Sequence, residues 1–355
     1  MNASETCNTF AVPVVRNLAK TGDRVEWEAT GPLVPWQVHG AEDLWVPVDH
    51  TEELFRRFVE EGPQPRLILD THYDAGHLVV VSGDSQVGKT TFIHRAVYDL
   101  TRRLHQKMED QAVAPSLAEE RWTVREHAMS PHVRVVTVIS TRMARGDGIP
   151  VGVDVVNQRI LEKIREKLPE EVISEAGANL RSRNTYKAFL TLSNALINLR
   201  CTLLIVLPDF RWSDERLARN FYLSCQDYAM PGIVFFVERT SSIVRDNLED
   251  ELGDLSQSNA TKLRVGPLVD QDWIRFIQAR RDHPNIPGWH VRVEDEVLLS
   301  EPEHWMRHNI GRLQNVLHVV TKRAHENGER AIGVAKMREY SQDIHVPGAG
   351  DFMLS

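Results

Sequence analysis

The chain has 355 residues, 42% hydrophobic and 26% charged, with a formal net charge of -8. These values belong to a folded globular protein; they exclude a disordered or fibrous chain and disfavour whole-surface attraction to nucleic acid. With no run of about eighteen apolar residues and no basic-then-apolar leader, a cytoplasmic protein is expected, with no membrane partner.

Residues 1–50 mix Pro, Trp and Gly with few periodic runs and read as an irregular or short-stranded N-terminal lead-in. A helix opens at Thr51, where Glu52 and Glu53 follow the capping position; Leu54, Phe55, Phe58 and Val59 form its apolar stripe up to Gly62-Pro63. From His77 the pattern changes to short apolar runs separated by helical periodicity, the signature of a parallel sheet flanked by helices. Five strands are predicted, at 77–82, 133–140, 202–207, 233–237 and 262–265, with helices at 90–106, 153–167, 185–199 and 214–228. Residues 108–131 carry both charge signs and two prolines and read as a surface insertion. The predicted core spans 51–266. After Gly266-Pro267 the strands are expected to stop, and apolar spacings of three and four predict a helical subdomain over 267–342, followed by a flexible tail at 343–355. Cys7, Cys201 and Cys225 lie far apart, two of them in apolar segments, and are expected to be plain thiols rather than a disulfide or zinc set. The eight tryptophans are spread along the chain and are assigned to packing.

One segment carries chemistry directly. Gly83-Asp84-Ser85-Gln86-Val87-Gly88-Lys89-Thr90 matches G-x-x-x-x-G-K-[ST] and sits between an apolar run and a helix. Glycines let the backbone wrap phosphates with its N–H groups pointing inward, and the helix behind presents the positive end of its dipole to the same anion. Lys89 is expected to reach the β- and γ-phosphates and the Thr90 hydroxyl to ligate Mg²⁺, with Gly83 to Thr91 as the nucleotide-binding stretch. The cofactors predicted are therefore ATP and Mg²⁺.

A second metal-linked group is expected at the end of another buried strand, and Asp209, after Leu203 to Pro208, is the candidate. Pro208 cannot donate to a central ladder and so marks the strand's C-terminal edge. Either Asp209 is the metal-linked acid and Phe210 replaces the base, or Asp209 is the base and Pro208 replaces the metal acid. Both readings imply weak hydrolysis. Glu238, beyond the fourth strand, is a stand-in base or a surface acid paired with Arg239. The strand intervening between loop and acid suits sheets in which an extra strand separates the two motif strands.

Taken in order, these pieces resemble an AAA+ P-loop ATPase, nearest the replication-initiator and transposition-regulator clade and the related signal-transducing ATPases with numerous domains. The resemblance covers roughly residues 35–340. It rests on Trp36-Gln37-Val38-His39-Gly40 with the helix at Thr51, the loop, Asp209, Glu238-Arg239-Thr240, Leu263 to Leu268, and Asn309-Ile310-Gly311-Arg312-Leu313 with its continuation. It implies a P-loop NTPase three-layer sandwich with a five-stranded, mainly parallel sheet and a smaller α-helical lid. It also implies Arg239 or Thr240 as a sensor, Arg312 as the lid arginine reaching the γ-phosphate, and His39 and Gly40 against the adenine base. Arg216 and Arg219 are plausible as trans-acting fingers, but ion pairs on a solvated helix face explain them equally well.

Three functions follow in order of fit. The first is a nucleotide-controlled switch with slow or partner-dependent hydrolysis, coupling ATP to self-association or to a protein or DNA partner. The second is an active remodelling ATPase, the third a small-molecule kinase. Lys322 and Arg323, on the same helix as Arg312, offer a basic stripe to nucleic-acid phosphates.

Overall fold

The computed structural model describes residues 10–18, 22–28, 33–36, 41–61, 68–69, 74–111, 133–138, 151–210, 212, 214–240, 259–269, 271–282, 291–300, 309–342 and 344. The chain divides into two compact units. One is drawn from Glu53–Ser85 and Phe92–Val265, the other from Met1–Glu52, Gln86–Thr91 and Gly266–Ser355.

The larger unit is built on a five-stranded sheet. Its strands are β3 (His77–Gly83), β4 (Val133–Thr137), β5 (Thr202–Leu207), β6 (Ile233–Thr240) and β7 (Ala260–Arg264), in the order β4-β5-β6-β3-β7. Every ladder is parallel. β3 and β5 are buried at every position, as strands covered on both faces must be, and this explains their unbroken apolar runs. The strand separating β3 from β5 is β6, while β4, which precedes β5 in the chain, lies at the sheet edge.

The helices of this unit are amphipathic, and their apolar stripes follow the three-and-four spacing. They are α2 (Lys89–Gln111), whose first turn belongs to the other unit, α3 (Val153–Arg165), α4 (Glu170–Ala176), α5 (Thr185–Asn198) and α6 (Glu215–Tyr228). Ile160, Ile164, Phe189, Leu192 and Phe221 pack against Leu78, Leu203, Ile205 and Phe235 in one core. Two helix starts are closed by side chains: Asn184 Oδ1 accepts from the Lys187 N–H at 2.9 Å, and Asp214 Oδ1 from the Leu217 N–H at 2.8 Å. α1 (Asp49–Arg56) continues into a π-helical turn, Arg57–Glu61. Arg95 stacks 3.8 Å over the Phe55 ring of α1.

The smaller unit sharpens one expectation, an irregular or short-stranded N-terminal segment, and departs from another. The N-terminal segment carries two seven-residue strands, β1 (Val12–Leu18) and β2 (Gly22–Glu28), paired antiparallel from Val12↔Glu28 to Leu18↔Gly22. Strand pairing also does not stop at residue 266, because β8 (Arg292–Val293) and β9 (Ala331–Ile332) form a short parallel pair. Two-residue strands carry no periodicity, so no sequence pattern marks them. The helices are α7 (Asp272–Arg281), α8 (Asp295–Leu299), α9 (Ile310–Glu326) and α10 (Val334–Ser341). Phe10 joins Trp273, Ile277, Leu313, Leu317 and Ile332 in their core. The N-terminal chain is stitched to this core by polar bonds: the buried Arg280 donates to Ala11 O at 2.5 Å, and Gln314 to Phe10 O at 3.2 Å.

Residues 112–132, most of the expected insertion, and the tail from 345 lie outside the described residues, as does Cys7. Cys201 and Cys225 are buried thiols; burial pushes the Cys201 thiol up to about 11 and raises that of Cys225 further. No helix among the described residues is long and apolar enough to cross a membrane.

Candidate phosphate-binding site

β3 runs directly into the loop, whose backbone is unusual at three points. Gly83 has φ 150°, Gly88 φ 97° and Gln86 φ 64°. Positive φ values interleaved with ordinary ones turn successive N–H groups toward one side, the geometry of an anion-binding nest. Val87 is buried between two turn residues, and Ser85 and Gln86 are exposed at the tip. Lys89 is the first residue of the 23-residue α2 and only 3% exposed. An anion placed beside an ammonium group at the positive end of a long helix is favoured by both charges. Thr90 and Thr91 follow, half-buried, on the same turn.

Gln86–Thr91 share their unit with α9. Asn309 caps that helix, its Oδ1 accepting from the Arg312 N–H at 3.1 Å, and the Gly311 N–H donates to the Gln86 carbonyl at 3.0 Å. Arg312 is half-buried, and its Nε lies out of water with no hydrogen-bond partner among the described residues. Buried guanidinium N–H groups are ordinarily satisfied, so an acceptor such as a phosphate oxygen fits this position.

In the larger unit the carboxyl ends of β5, β6 and β3 come to one edge, where open α/β sheets bind ligands. β6 is apolar from Ile233 to Val237 and then emerges as Glu238, Arg239 and Thr240, opposite Val81, Ser82 and Gly83. β5 ends at Leu207, opposite Val237, and Pro208 and Asp209 follow half-buried. Phe210 is 3% exposed and packs edge-on against Phe221 at 5.3 Å, within the core. It therefore faces away from the polar edge. The fully buried Tyr222 of α6 lies within the field of these groups. Burial first, then the charge of Asp209, raises its phenol pKa, Arg239 opposes this, and Glu238 adds to it.

The residues proposed from sequence thus fall into two sets. Gln86, Val87, Gly88, Lys89, Thr90, Thr91 and Arg312 belong to the smaller unit; Gly83, Asp84, Ser85, Asp209, Glu238 and Arg239 belong to the larger. His39 and Gly40 lie outside the described residues. Arg323, expected in a basic stripe, instead donates to Tyr340 O at 2.7 Å and ties α9 to α10, whereas Lys322 is exposed. Sequence reasoning passed over Tyr222, for which no pattern exists, and the separate role of Asn309, which an Asn before a helical stripe signals. Thr90 offers a hydroxyl and Asp209 a carboxylate, the hard oxygen donors that Mg²⁺ takes together with water and substrate phosphates, each in its own unit.

No protein-family model matches the chain, and no curated protein matches it. Solved structures similar to it include the Orc2 protein of Aeropyrum pernix in its ADPNP–ADP complexes. That likeness has 11% identity and a TM-score of 0.49, over 82% of this chain and 66% of that one. The Cdc6p protein of Pyrobaculum aerophilum matches at 14% identity and TM-score 0.47, over 86% of this chain and 71% of that one. Domain III of the replication initiation protein DnaA from Thermotoga maritima matches at 10% identity and TM-score 0.43, over 88% and 98%. This chain spans just under two thirds of the length of the Orc2 chain.

Proposed function

We propose that the chain is an AAA+-type ATP-binding switch, in which Mg²⁺·ATP seated in the loop biases the protein toward a self-associated or partner-bound form and is hydrolysed slowly or on contact with a partner. The observation that carries this reading is Lys89, almost withdrawn from solvent at the positive end of α2 behind a backbone nest. In this reading Lys89 and Arg312 hold the γ-phosphate, the loop amides from Gly83 to Thr90 hold the phosphate chain, and Thr90 and Asp209 hold Mg²⁺. The metal supplies charge neutralisation between the phosphates; the chain's own groups supply position. His39 and Gly40 are assigned to the adenine base, as the motif order suggests.

Slow turnover is supported by Phe210. With that side chain packed on Phe221, the residue after Asp209 offers no group to polarise water. Glu238 and Arg239, at the end of β6, are the proposed base and sensor. Because Glu238 is half-buried at the same sheet edge from which the loop departs, a second reading, an ATPase with sustained turnover, remains a definite alternative outcome. We assign the nucleotide core to 51–266 and the lid to 267–342, and place the protein in the cytoplasm.

The test is mass measurement by light scattering with and without a non-hydrolysable ATP analogue and Mg²⁺, in the wild type and in Lys89→Ala. The switch requires a Lys89-dependent change in mass, or in retention of a partner or of duplex DNA. No change in any of them sinks it. Rapid steady-state hydrolysis that collapses in Glu238→Gln establishes the second reading instead. A DNA partner would show an affinity that falls steeply with added salt.

A further inference from the structure

The tip of the loop is held by a helix that no part of the motif specifies. Gln86 has φ 64°, a left-handed conformation that residues with a Cβ seldom adopt and that needs support from its surroundings. Its carbonyl accepts the Gly311 N–H of α9 at 3.0 Å. The peptide unit is planar and trans, so turning the Gln86 carbonyl toward α9 also fixes the direction of the Val87 N–H, one of the amides of the nest.

Gly311 itself is explained by clearance. It lies in the first turn of a 17-residue helix and shows no positive φ, so alanine would suit the helix better. A Cβ at this position, however, would stand 2.9 Å from Gln86 Cβ, 3.0 Å from Gln86 O and 3.5 Å from Gln86 Cα. Two of those atoms are backbone and the third is fixed to it, so no side-chain rotation relieves the contact. Beside it, a Cβ on Gly88 would meet Ile310 Cγ2 at 3.5 Å, an ordinary contact that leaves no gap between loop and helix.

We propose that Gly311 is a positioning residue for nucleotide binding: its N–H pins the Gln86 carbonyl and its bare Cα sets the spacing, so that the first turn of α9 holds the loop in its phosphate-receiving conformation. This rests on the reading of the loop as a nucleotide site. It makes the loop's shape a property of α9 as well as of the loop sequence, and a displacement of α9's first turn lowers nucleotide affinity without touching Lys89.

The experiment titrates a fluorescent ATP analogue with Mg²⁺ into the wild type, Gly311→Ala, Gln86→Gly and the double variant. Gly152→Ala serves as control, since a Cβ there meets nothing within 4 Å. The direct contact predicts that Gly311→Ala weakens binding about tenfold in the wild-type background but less than about twofold in the Gln86→Gly background. There the Cβ at 2.9 Å is gone and the loop backbone can yield. Gly152→Ala binds as the wild type does. Equal losses from Gly311→Ala in both backgrounds, or no loss in either, overturn the proposal. If Gly311→Ala fails to fold, the double variant decides: folding with the affinity of Gln86→Gly supports the contact, and failure to fold again overturns it. Wild-type binding that is absent or independent of Lys89 overturns the nucleotide reading and this inference together, whereas Lys89-dependent binding insensitive to Gly311 overturns this inference alone.

Discussion

His77 opens the interior strand β3 with an imidazole that is buried and bonded, its Nε2 2.8 Å from Thr261 Oγ1 on the neighbouring β7. Burial lowers its pKa to about 4 from the ordinary 6.5, so the folded protein keeps it neutral where the unfolded chain protonates it. The unfolded state therefore binds more protons between those two values, and stability rises with pH across that window. His77 destabilises nothing above pH 6.5 and removes about 2 kcal/mol between pH 6.5 and 5, at roughly 1.4 kcal/mol per unit. Urea midpoints of the wild type should fall over that interval, and the His77→Gln variant should lose that part of the slope. An unchanged slope would show that another group sets the acid response. At Asp209 and Phe210 the residue scale shows a phenylalanine packed on Phe221 and Trp212, a core residue directly after a half-buried acid.

Between elements, the tightest steric demand lies where the chain enters β3. A Cβ on Gly76 would stand 2.3 Å from Ala229 C and Met230 O, both backbone atoms at the end of α6. α6 packs on β3 and β6, and this approach brings its C-terminal turn against the strand. Gly76→Ala is expected to cost about 2–4 kcal/mol, because neither backbone can move without disturbing the sheet. Gly152→Ala, at the open N-cap of α3, should cost no more than about 1 kcal/mol, the preference for glycine over alanine at a cap, with no steric clash. Denaturant midpoints of the two variants check the contrast, and similar values would refute the close approach. The same scale explains β6. Five apolar residues build the strand's buried length, and the switch to Glu238, Arg239 and Thr240 coincides with the point at which its partner β3 gives way to the loop.

Across the whole molecule, nucleotide binding is linked to stability by mass action. A ligand that binds only the folded form adds about 2.7 kcal/mol at a hundred times its Kd, which corresponds to a rise of several degrees in Tm. Mg²⁺·ATP analogue at that excess is expected to produce this rise in the wild type. Lys89→Ala should abolish it, and chelation of Mg²⁺ should reduce it, because the cation then no longer neutralises charge between the phosphates. A rise of equal size in Lys89→Ala would place the nucleotide elsewhere. Each compact unit has its own apolar core, so the unfolding trace should be read for two transitions, with the shift assigned to the one that moves.

The amino-acid sequence determined the local chemistry: the loop pattern between strand and helix, the five apolar strands and the stripes of α5, α6 and α9 are all contained within short windows, where spacing alone sets which face is apolar. Only the tertiary structure decided the rest, because it depends on contacts between residues far apart in the chain. It placed β6, not β4, between β3 and β5, put Tyr222 in the field of Asp209 and Glu238, and joined Phe10 to the core of α7 and α9. It also set Gly311 against Gln86, a separation of more than two hundred residues that no periodicity records and that close packing alone enforces.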